Sequence, residues 1–469
     1  MGQNNKYKTL ISNTMLISLG TFGSKLLVFF MVRFYTGYLD TDAFGTADLI
    51  TQSANLLLPI ISLGITDGVF RFAVDQAKDR RRIFSAGLYT ILVGSLLLFG
   101  LLPVVGLVPG LDAYLWLVGL YTVASCLHTL CAQFVRAEGK TALFAVQGMI
   151  NTALVIGLNI LFLAVLHYGV TGYVLSVVLA DVACAALLFV REKLWRQLTL
   201  RPGGVWKKML VYSIPMIPTT IFWWITNVSD RYMVSAIISA SANGLYAVSY
   251  KLPTLMTLIA TIFMEAWQFS AISEAGGDKA EHAEFFSRVW YAFQAMLFVA
   301  GAFITGFAQI GVKILAAPRY FDSWTYVPVL SIAMVFASFC SYLGTVYMVE
   351  KRSGRTFVTS MIGAGLNIAL NLILIPSRLG VQGAAIATAV SYIVVFVIRA
   401  IDARRFIPFK LYTMSVLANF LLLGAQTVAM VLQMPGWIVI QAISIVCMLI
   451  INAKPLLATV TRIKNIRRT

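Results

Sequence analysis

FSAGLYTILVGSLLLFGLLPVVGL, residues 84–107, decides the fold class. None of these residues is charged, and a helix needs about 20 apolar residues to cross the hydrocarbon core of a membrane. The stretch is rich in Leu, Val and Gly and lacks the strict alternation of a barrel strand. It therefore predicts a membrane-spanning helix.

Similar apolar runs recur along the whole chain. The 469 residues are 59% hydrophobic with a mean hydropathy of +0.84, far too apolar for a soluble protein of this length. The pattern predicts an all-α integral membrane protein with about fourteen transmembrane helices. The expected spans are 10–36, 46–70, 84–107, 112–135, 142–166, 170–190, 209–236, 245–272, 287–311, 325–349, 357–376, 381–400, 412–432 and 435–453.

The Lys and Arg residues outside the spans collect in every second connection, and only Lys313, Arg319 and Arg378 fall in the others. Cytoplasmic loops carry such an excess of positive charge, so both termini are predicted to be cytoplasmic. The net charge of +17 is spread over many short loops. A single basic face, as nucleic-acid binding requires, is therefore not expected.

Four basic residues lie inside predicted spans: Lys25, Arg33, Arg231 and Lys251. Each would cost about 2.5–3.5 kcal/mol at the centre of a bilayer. They are therefore expected to face a water-filled interior. A cationic interior suggests an anionic cargo.

Polar residues follow the same helices at spacings of three and four, which predicts wet faces on the first two spans of each half. The expected cargo contacts besides the four cations are Gln52, Asn55, Trp223, Asn227, Tyr250 and Thr257. The acids Asp48, Asp230 and Glu265 would orient the cations or carry a coupling ion. Two other interpretations stay open: ion pairs of Asp48 with Arg33 and of Asp230 with Lys251, and polar contacts that only glue helices together.

The sequence lacks the common motifs of nucleotide-binding and metal-binding sites. There is no P-loop, Rossmann fingerprint or HExxH motif, and the cysteines lack metal-site spacing. We expect no catalytic residue, metal or cofactor, and hence no enzyme. Isolated Asp181 and His128 are expected to serve packing inside the first half.

Two short motifs of the first half have similar counterparts in the second half. EGKTALF (138–144) and KRSGRTF (351–357) open corresponding spans, and GVTG (169–172) and GVQG (380–383) follow about thirty residues later. The pattern predicts two parallel six-helix repeats related by an axis along the membrane normal. The expected domains are an N-lobe over 1–190, a link over 191–208, a C-lobe over 209–405, and two further helices with a basic tail over 406–469.

Several of these motifs resemble the polysaccharide transporter family, which includes the O-antigen flippases, in the multidrug/oligosaccharidyl-lipid/polysaccharide superfamily. The resemblance rests on SK (24–25), LGITDGVFR (63–71), RAEGK (136–140), YSIP (212–215), SDR (229–231) and GVQG (380–383). It implies two six-helix lobes in a V, and two C-terminal helices like those of the fourteen-helix members, the lipid II flippases among them.

The resemblance also implies a function. It implies a flippase that moves a polyprenyl-pyrophosphate-linked oligosaccharide across the cytoplasmic membrane by alternating access, beside the glycosyltransferases and polymerase of its pathway. The expected partners are thus a lipid-linked oligosaccharide and membrane lipid, and no nucleic acid. Two alternatives remain: a multidrug or cation exporter of the same superfamily, and an integral-membrane polymerase or glycosyltransferase.

Overall fold

The computed structural model describes residues 27–75, 79–108, 110–273, 279–350 and 352–466. Within these ranges every regular element is a helix, so the all-α class is confirmed there. The helices, numbered in chain order, are α1 over 27–38, α2 Thr41–Ile61, α3 Ile65–Asp75, α4 Arg80–Val105, α5 Leu115–Ala137, α6 Thr141–Asn159, α7 Gly169–Arg191, α8 Gly204–Ser213, α9 Ile217–Ile237, α10 Ala240–Ser249, α11 Lys251–Ser273, α12 Lys279–Gly306, α13 Ala308–Leu315, α14 Val327–Val349, α15 Ser353–Leu374, α16 Val381–Ala403, α17 Thr413–Val431 and α18 Trp437–Ile466.

In the described part of the chain, ten helices are long and apolar enough to cross a membrane. The number rises to twelve if each of two bent helix pairs counts as one span. The protein is therefore a multi-pass membrane protein. The total of fourteen spans and the orientation of the termini stay predictions.

The second predicted span is a bent pair, α2 followed by α3, whose axes differ by 53°. Pro59 lies in the last turn of α2, where its ring removes a backbone hydrogen bond. The chain then turns through Leu63 and Gly64, which have φ angles of +48° and +62°. The bend thus has a local cause, because this positive-φ turn cannot continue a right-handed helix.

The chain divides into two compact units. One comprises Met1–Trp224 with Ser239–Gly244, and the other comprises Ile225–Ile238 with Leu245–Thr469. The lobe boundaries expected from the sequence stay predictions. Residues 209–224 group with the first unit, in which α8 packs on α3 and α4. The indole N–H of Trp206 donates to Thr90 Oγ1 over 2.9 Å, and a Cβ at Gly68 would lie 2.6 Å from Ser213 Oγ.

The repeated GVxG motif has the same backbone role in both places. Gly169 and Gly380 have φ angles of +54° and +52°, a region in which L side chains are strained. A Cβ at Gly172 would lie 3.3 Å from Phe162 O, and one at Gly383 would lie 2.6 Å from Leu374 O. In each motif the first glycine makes the turn and the second lets the next helix approach the end of the preceding one.

The same halves also carry an equivalent ion pair between the start of one helix and the end of the next. Lys140, before α6, binds Glu192 at the end of α7, and Arg355 in α15 lies 3.2 Å from Asp402 Oδ1 near the end of α16. Burial by itself would lower the pKa of Lys140, but the hydrogen bonds to Glu138 and Glu192 outweigh burial and raise that pKa. The matching pairs support the predicted repeat.

Candidate functional site

The carboxylate of Asp230 lies at the centre of a buried network in the second unit. Its Oδ2 atom accepts hydrogen bonds from Tyr246 Oη at 2.6 Å and Tyr250 Oη at 2.9 Å, and Thr388 Oγ1 lies 3.2 Å away. Its Oδ1 atom accepts the backbone N–H of Arg231 over 2.9 Å. The side chain has no exposed surface. A buried carboxylate is tolerated because several donors replace its lost hydration.

Arg231 follows Asp230 directly on α9, and its guanidinium lies over the ring of Tyr250. The distance from Arg231 Cζ to the ring centroid is 4.8 Å, and the residue is 9% exposed. A desolvated cation–π contact of this kind contributes about 2 kcal/mol. Because Asp230 binds the hydroxyl of the same ring, the carboxylate fixes the surface on which Arg231 lies.

Helices that the sequence did not single out complete this network. Asn227 Oδ1 accepts a hydrogen bond from Tyr392 Oη on α16 at 2.6 Å. Asn367 Nδ2 on α15 donates to Thr388 Oγ1 over 3.3 Å, and Asn371 Nδ2 donates to Asn367 Oδ1 over 3.0 Å. The buried polar side chains of the second unit are therefore not confined to the first two predicted spans of that half. The one-turn spacing of Asn367 and Asn371 was the signal in the sequence.

The first unit holds the other polar stripe, on α2. Gln52 Nε2 lies 3.5 Å from Asp48 Oδ1, and the Gln52 carbonyl accepts the indole N–H of Trp224 over 3.2 Å. Asn55, one turn further on, is exposed, and so is Arg33 on α1. The proposed pairing of Arg33 with Asp48 stays a prediction.

The stripe on α11 begins with Lys251, which is half-buried at the first position of the helix. The hydroxyl of Thr257 donates to Thr254 O over 2.8 Å, and that of Thr261 donates to Thr257 O over 2.8 Å. Each hydroxyl therefore donates its proton to a backbone carbonyl of the same helix. Its oxygen keeps lone pairs that can accept from a sugar hydroxyl.

Three predicted site residues receive no structural account. Lys25 lies outside the described residues, and the side chains of Trp223 and Glu265 do as well. The structure thus brings together Asn227, Asp230, Arg231 and Tyr250 in the second unit, and Asp48 and Gln52 in the first. The roles of all these residues in binding stay predictions.

A cavity of about 320 Å³ lies elsewhere, within the first unit between α2, α4 and α8. Its lining is almost wholly aliphatic and includes Leu97, Leu101 and Leu210. None of the predicted site residues contributes to it. An apolar cavity suits hydrocarbon and cannot bind a charged head group.

Comparisons with solved structures place the fold. The chain matches a multidrug resistance MATE family transporter of the MOP superfamily in an inward-facing conformation, with a TM-score of 0.67 and 13% identity over 84% of this chain and 95% of that one. It matches the lipid II flippase MurJ in an inward closed conformation, with a TM-score of 0.68 and 13% identity over 95% of this chain and all of that one. At this identity the likeness shows the fold alone.

Sequence comparisons place the family. The multidrug and toxin extrusion protein 1 of Rattus norvegicus is 24% identical over 284 residues, which are 55% of this chain. The chain spans about half of that relative, 48% of its length. The family model described as polysaccharide biosynthesis protein matches residues 10–274, more than half of the chain. The chain is therefore a multi-pass membrane protein that belongs to the polysaccharide biosynthesis protein family.

Proposed function

We propose that this protein is a flippase that translocates a polyprenyl-pyrophosphate-linked oligosaccharide across the cytoplasmic membrane by alternating access. Family membership supports a role in polysaccharide biosynthesis. The fold it shares with MurJ, which is described as a lipid II flippase, supports movement of a lipid-linked cargo. The pathway's glycosyltransferases and polymerase would supply and consume that cargo.

The observation that carries the proposal is the buried guanidinium of Arg231. A cation held inside a membrane protein is costly and usually serves function. Arg presents several N–H donors in a fixed plane, which matches the oxygens of a pyrophosphate. We assign pyrophosphate binding to Arg231 with Lys25, Arg33 and Lys251. Sugar contacts are assigned to Gln52, Asn55, Trp223, Asn227, Tyr250 and Thr257.

The network around Asp230 supports a positioning role for that carboxylate. It holds the hydroxyl of Tyr250, and the ring of Tyr250 supports Arg231. Of the two roles considered for the acids, orientation of a cation fits Asp230. Asp48 and Glu265 are proposed as further cavity acids, in orientation or in ion coupling.

The test compares Arg231→Ala, Arg231→Lys and a matched control, Arg378→Ala. Arg378 is a basic residue in an exposed connection, outside the predicted cavity. A hydrogen bond to a charged group contributes about 1.5–3 kcal/mol, which corresponds to roughly a tenfold to hundredfold loss of transport. Surface polysaccharide, measured by immunoblot at equal membrane levels of protein, should fall in Arg231→Ala, recover in part in Arg231→Lys, and stay normal in the control. Normal polysaccharide in Arg231→Ala would refute the assignment.

A second candidate function is export of drugs or organic cations. The match to the rat extrusion protein favours it. A site for cationic drugs should be acidic or apolar, whereas Arg231 would repel such a cargo. Efflux of ethidium from inverted vesicles, unchanged by Arg231→Ala, would support the exporter. The enzyme alternative would require product formation by the purified protein, and the comparisons name transporters and a flippase instead.

A further inference from the structure

A cluster of polar side chains lies inside the first unit, where α5, α6 and α7 pack together. His128 and Asp181, which the sequence suggested were isolated packing residues, lie against each other: His128 Nδ1 is 2.9 Å from Asp181 Oδ1. At 1.5 Å per residue, they lie about 14 and 15 Å from the nearer ends of their helices. The pair therefore lies near the middle depth of two predicted spans.

Asp181 is surrounded by donors. Its Oδ1 atom also accepts from Asn151 Nδ2 over 2.9 Å, and its Oδ2 atom accepts from the hydroxyl of Ser125. The side chain is 9% exposed. Three donors are thus directed at one carboxyl group, and each bond replaces part of its lost hydration.

His128 has a partner on each ring nitrogen. Beside the bond to Asp181, its Nε2 atom lies 2.7 Å from Gln147 Oε1 on α6. A neutral imidazole carries one N–H, so it can donate to only one of these two oxygens. An imidazolium donates to both. The two oxygens as placed are therefore both satisfied by the doubly protonated ring, which makes the pair with the Asp181 carboxylate neutral overall.

The neutral ring can also be accommodated at this site. A primary amide carries donors on its nitrogen and an acceptor on its oxygen. If the Gln147 amide turns over, its Nε2 group takes the place of Oε1 and donates a hydrogen bond to the bare Nε2 of His128. The pair then carries a net charge of −1. Both protonation states thus keep their hydrogen bonds, which is what a reversible proton site needs in a medium where unpaired polar groups are costly.

Titratable groups on neighbouring elements define the environment of the pair. Tyr121 on α5 interacts electrostatically with Asp181, and Tyr173 on α7 interacts with both Tyr121 and Asp48. The remaining titratable side chains on the packed helices are Cys126, Cys131 and Arg136 on α5, Cys184 and Arg191 on α7, Asp42 on α2, Asp67, Arg71 and Asp75 on α3, and Tyr89 and Arg80 to Arg82 on α4; α6 carries none.

We infer that His128 and Asp181 form a proton-binding site of the first unit, and that one proton bound there is coupled to transport. The coupling rests on the proposed flippase function, whereas the proton site does not. The site is separate from the cations assigned to the cargo and from the Asp230 network. Gln147, Asn151 and Ser125 are positioning residues that hold the pair.

The substrate-free test is nitrogen NMR of the histidine rings in the full-length protein. The chain has three histidines, so a His167→Gln, His282→Gln background leaves only His128. We expect a doubly protonated ring at pH 7.5, and a neutral ring at the same pH in Asp181→Asn. A neutral ring in the parent protein, or an unchanged ring in Asp181→Asn, overturns the proposal. If Asp181→Asn does not fold, the test uses the parent spectrum and the milder Gln147→Glu variant instead. Gln147→Glu should keep the ring protonated to higher pH.

The transport test uses proteoliposomes with a fluorescent undecaprenyl-pyrophosphate disaccharide as the probe. An imposed pH gradient should change the initial flipping rate of the wild type at least fivefold, and that of His128→Gln less than twofold, with His282→Gln as the matched control. Equal gradient dependence in His128→Gln and wild type overturns the coupling. If no preparation flips the probe at any gradient, the flippase proposal fails, and the NMR result alone decides the proton site.

Discussion

A close backbone contact in the first unit gives the sharpest prediction, which concerns Gly45 of α2. A Cβ at this position would lie 1.9 Å from Ala240 O and 2.9 Å from Gly244 N. Ordinary contact begins at 3.4 Å, so Gly45→Ala must move segment 239–244 away from α2 by about 1.5 Å. The contact is reciprocal, since a Cβ at Gly244 would lie 1.9 Å from Thr41 O.

That displacement breaks two hydrogen bonds. Thr41 Oγ1 lies 2.6 Å from Ser241 Oγ, and Asn243 Nδ2 donates to Gly45 O over 3.0 Å. Each bond contributes about 1 kcal/mol, and overpacking a tight contact costs about 1–3 kcal/mol more. We therefore expect Gly45→Ala to lower the free energy of unfolding by about 3–5 kcal/mol.

The assay is thermal unfolding of the purified full-length protein in detergent, followed by the monomer peak in size-exclusion chromatography. The control is Gly148→Ala in α6, where a Cβ would meet nothing within 4 Å. This control should unfold at or slightly above the wild-type temperature, because alanine favours a helix over glycine by about 1 kcal/mol. Equal midpoints for Gly45→Ala and Gly148→Ala would refute the close-packing argument.

Three further predictions follow from the second unit. Tyr250→Phe keeps the ring but removes the hydroxyl by which Asp230 holds it under the guanidinium, so it should cost about 1.5–3 kcal/mol of unfolding free energy and lower transport; unchanged stability and transport would contradict this. Gly380→Ala, at φ +52° and ψ −128°, should cost about 1–3 kcal/mol in the same assay, and Gly365→Ala in an open helical position should cost nothing. Arg399→Met should lower the unfolding midpoint markedly, because this buried guanidinium donates to three or more acceptors that would lose their partner; an unchanged midpoint would show that they find others.

Membrane insertion could be predicted from the sequence because it depends on local composition. A run such as residues 84–107 must form a helix in a bilayer whatever surrounds it, since no water is present to satisfy its backbone. The helix α4 that covers it, Arg80–Val105, begins and ends within a few residues of the expectation. The GVxG turns could also be predicted from the sequence. The first glycine is required by a positive φ, and the second is required by the close approach of two helices.

The buried polar networks could not be predicted in the same way. Asp230 was identified as a cavity acid, but its partner Thr388 is 158 positions away in the chain. His128 and Asp181 were taken for separate packing residues because 53 positions separate them. The local sequence around each of these residues does not indicate that the other one lies against it.

By itself the sequence determined that this chain crosses a membrane many times as helices, and it predicted that the halves repeat and that cations lie inside the spans. These are properties of local composition and spacing, and each follows from the cost of exposing backbone or charge to hydrocarbon. Only the tertiary structure decided which polar groups meet. Helix packing brings residues from distant spans within hydrogen-bonding distance, and that choice made Asp230 the support for Tyr250 and Arg231, and made His128 and Asp181 a single proton site.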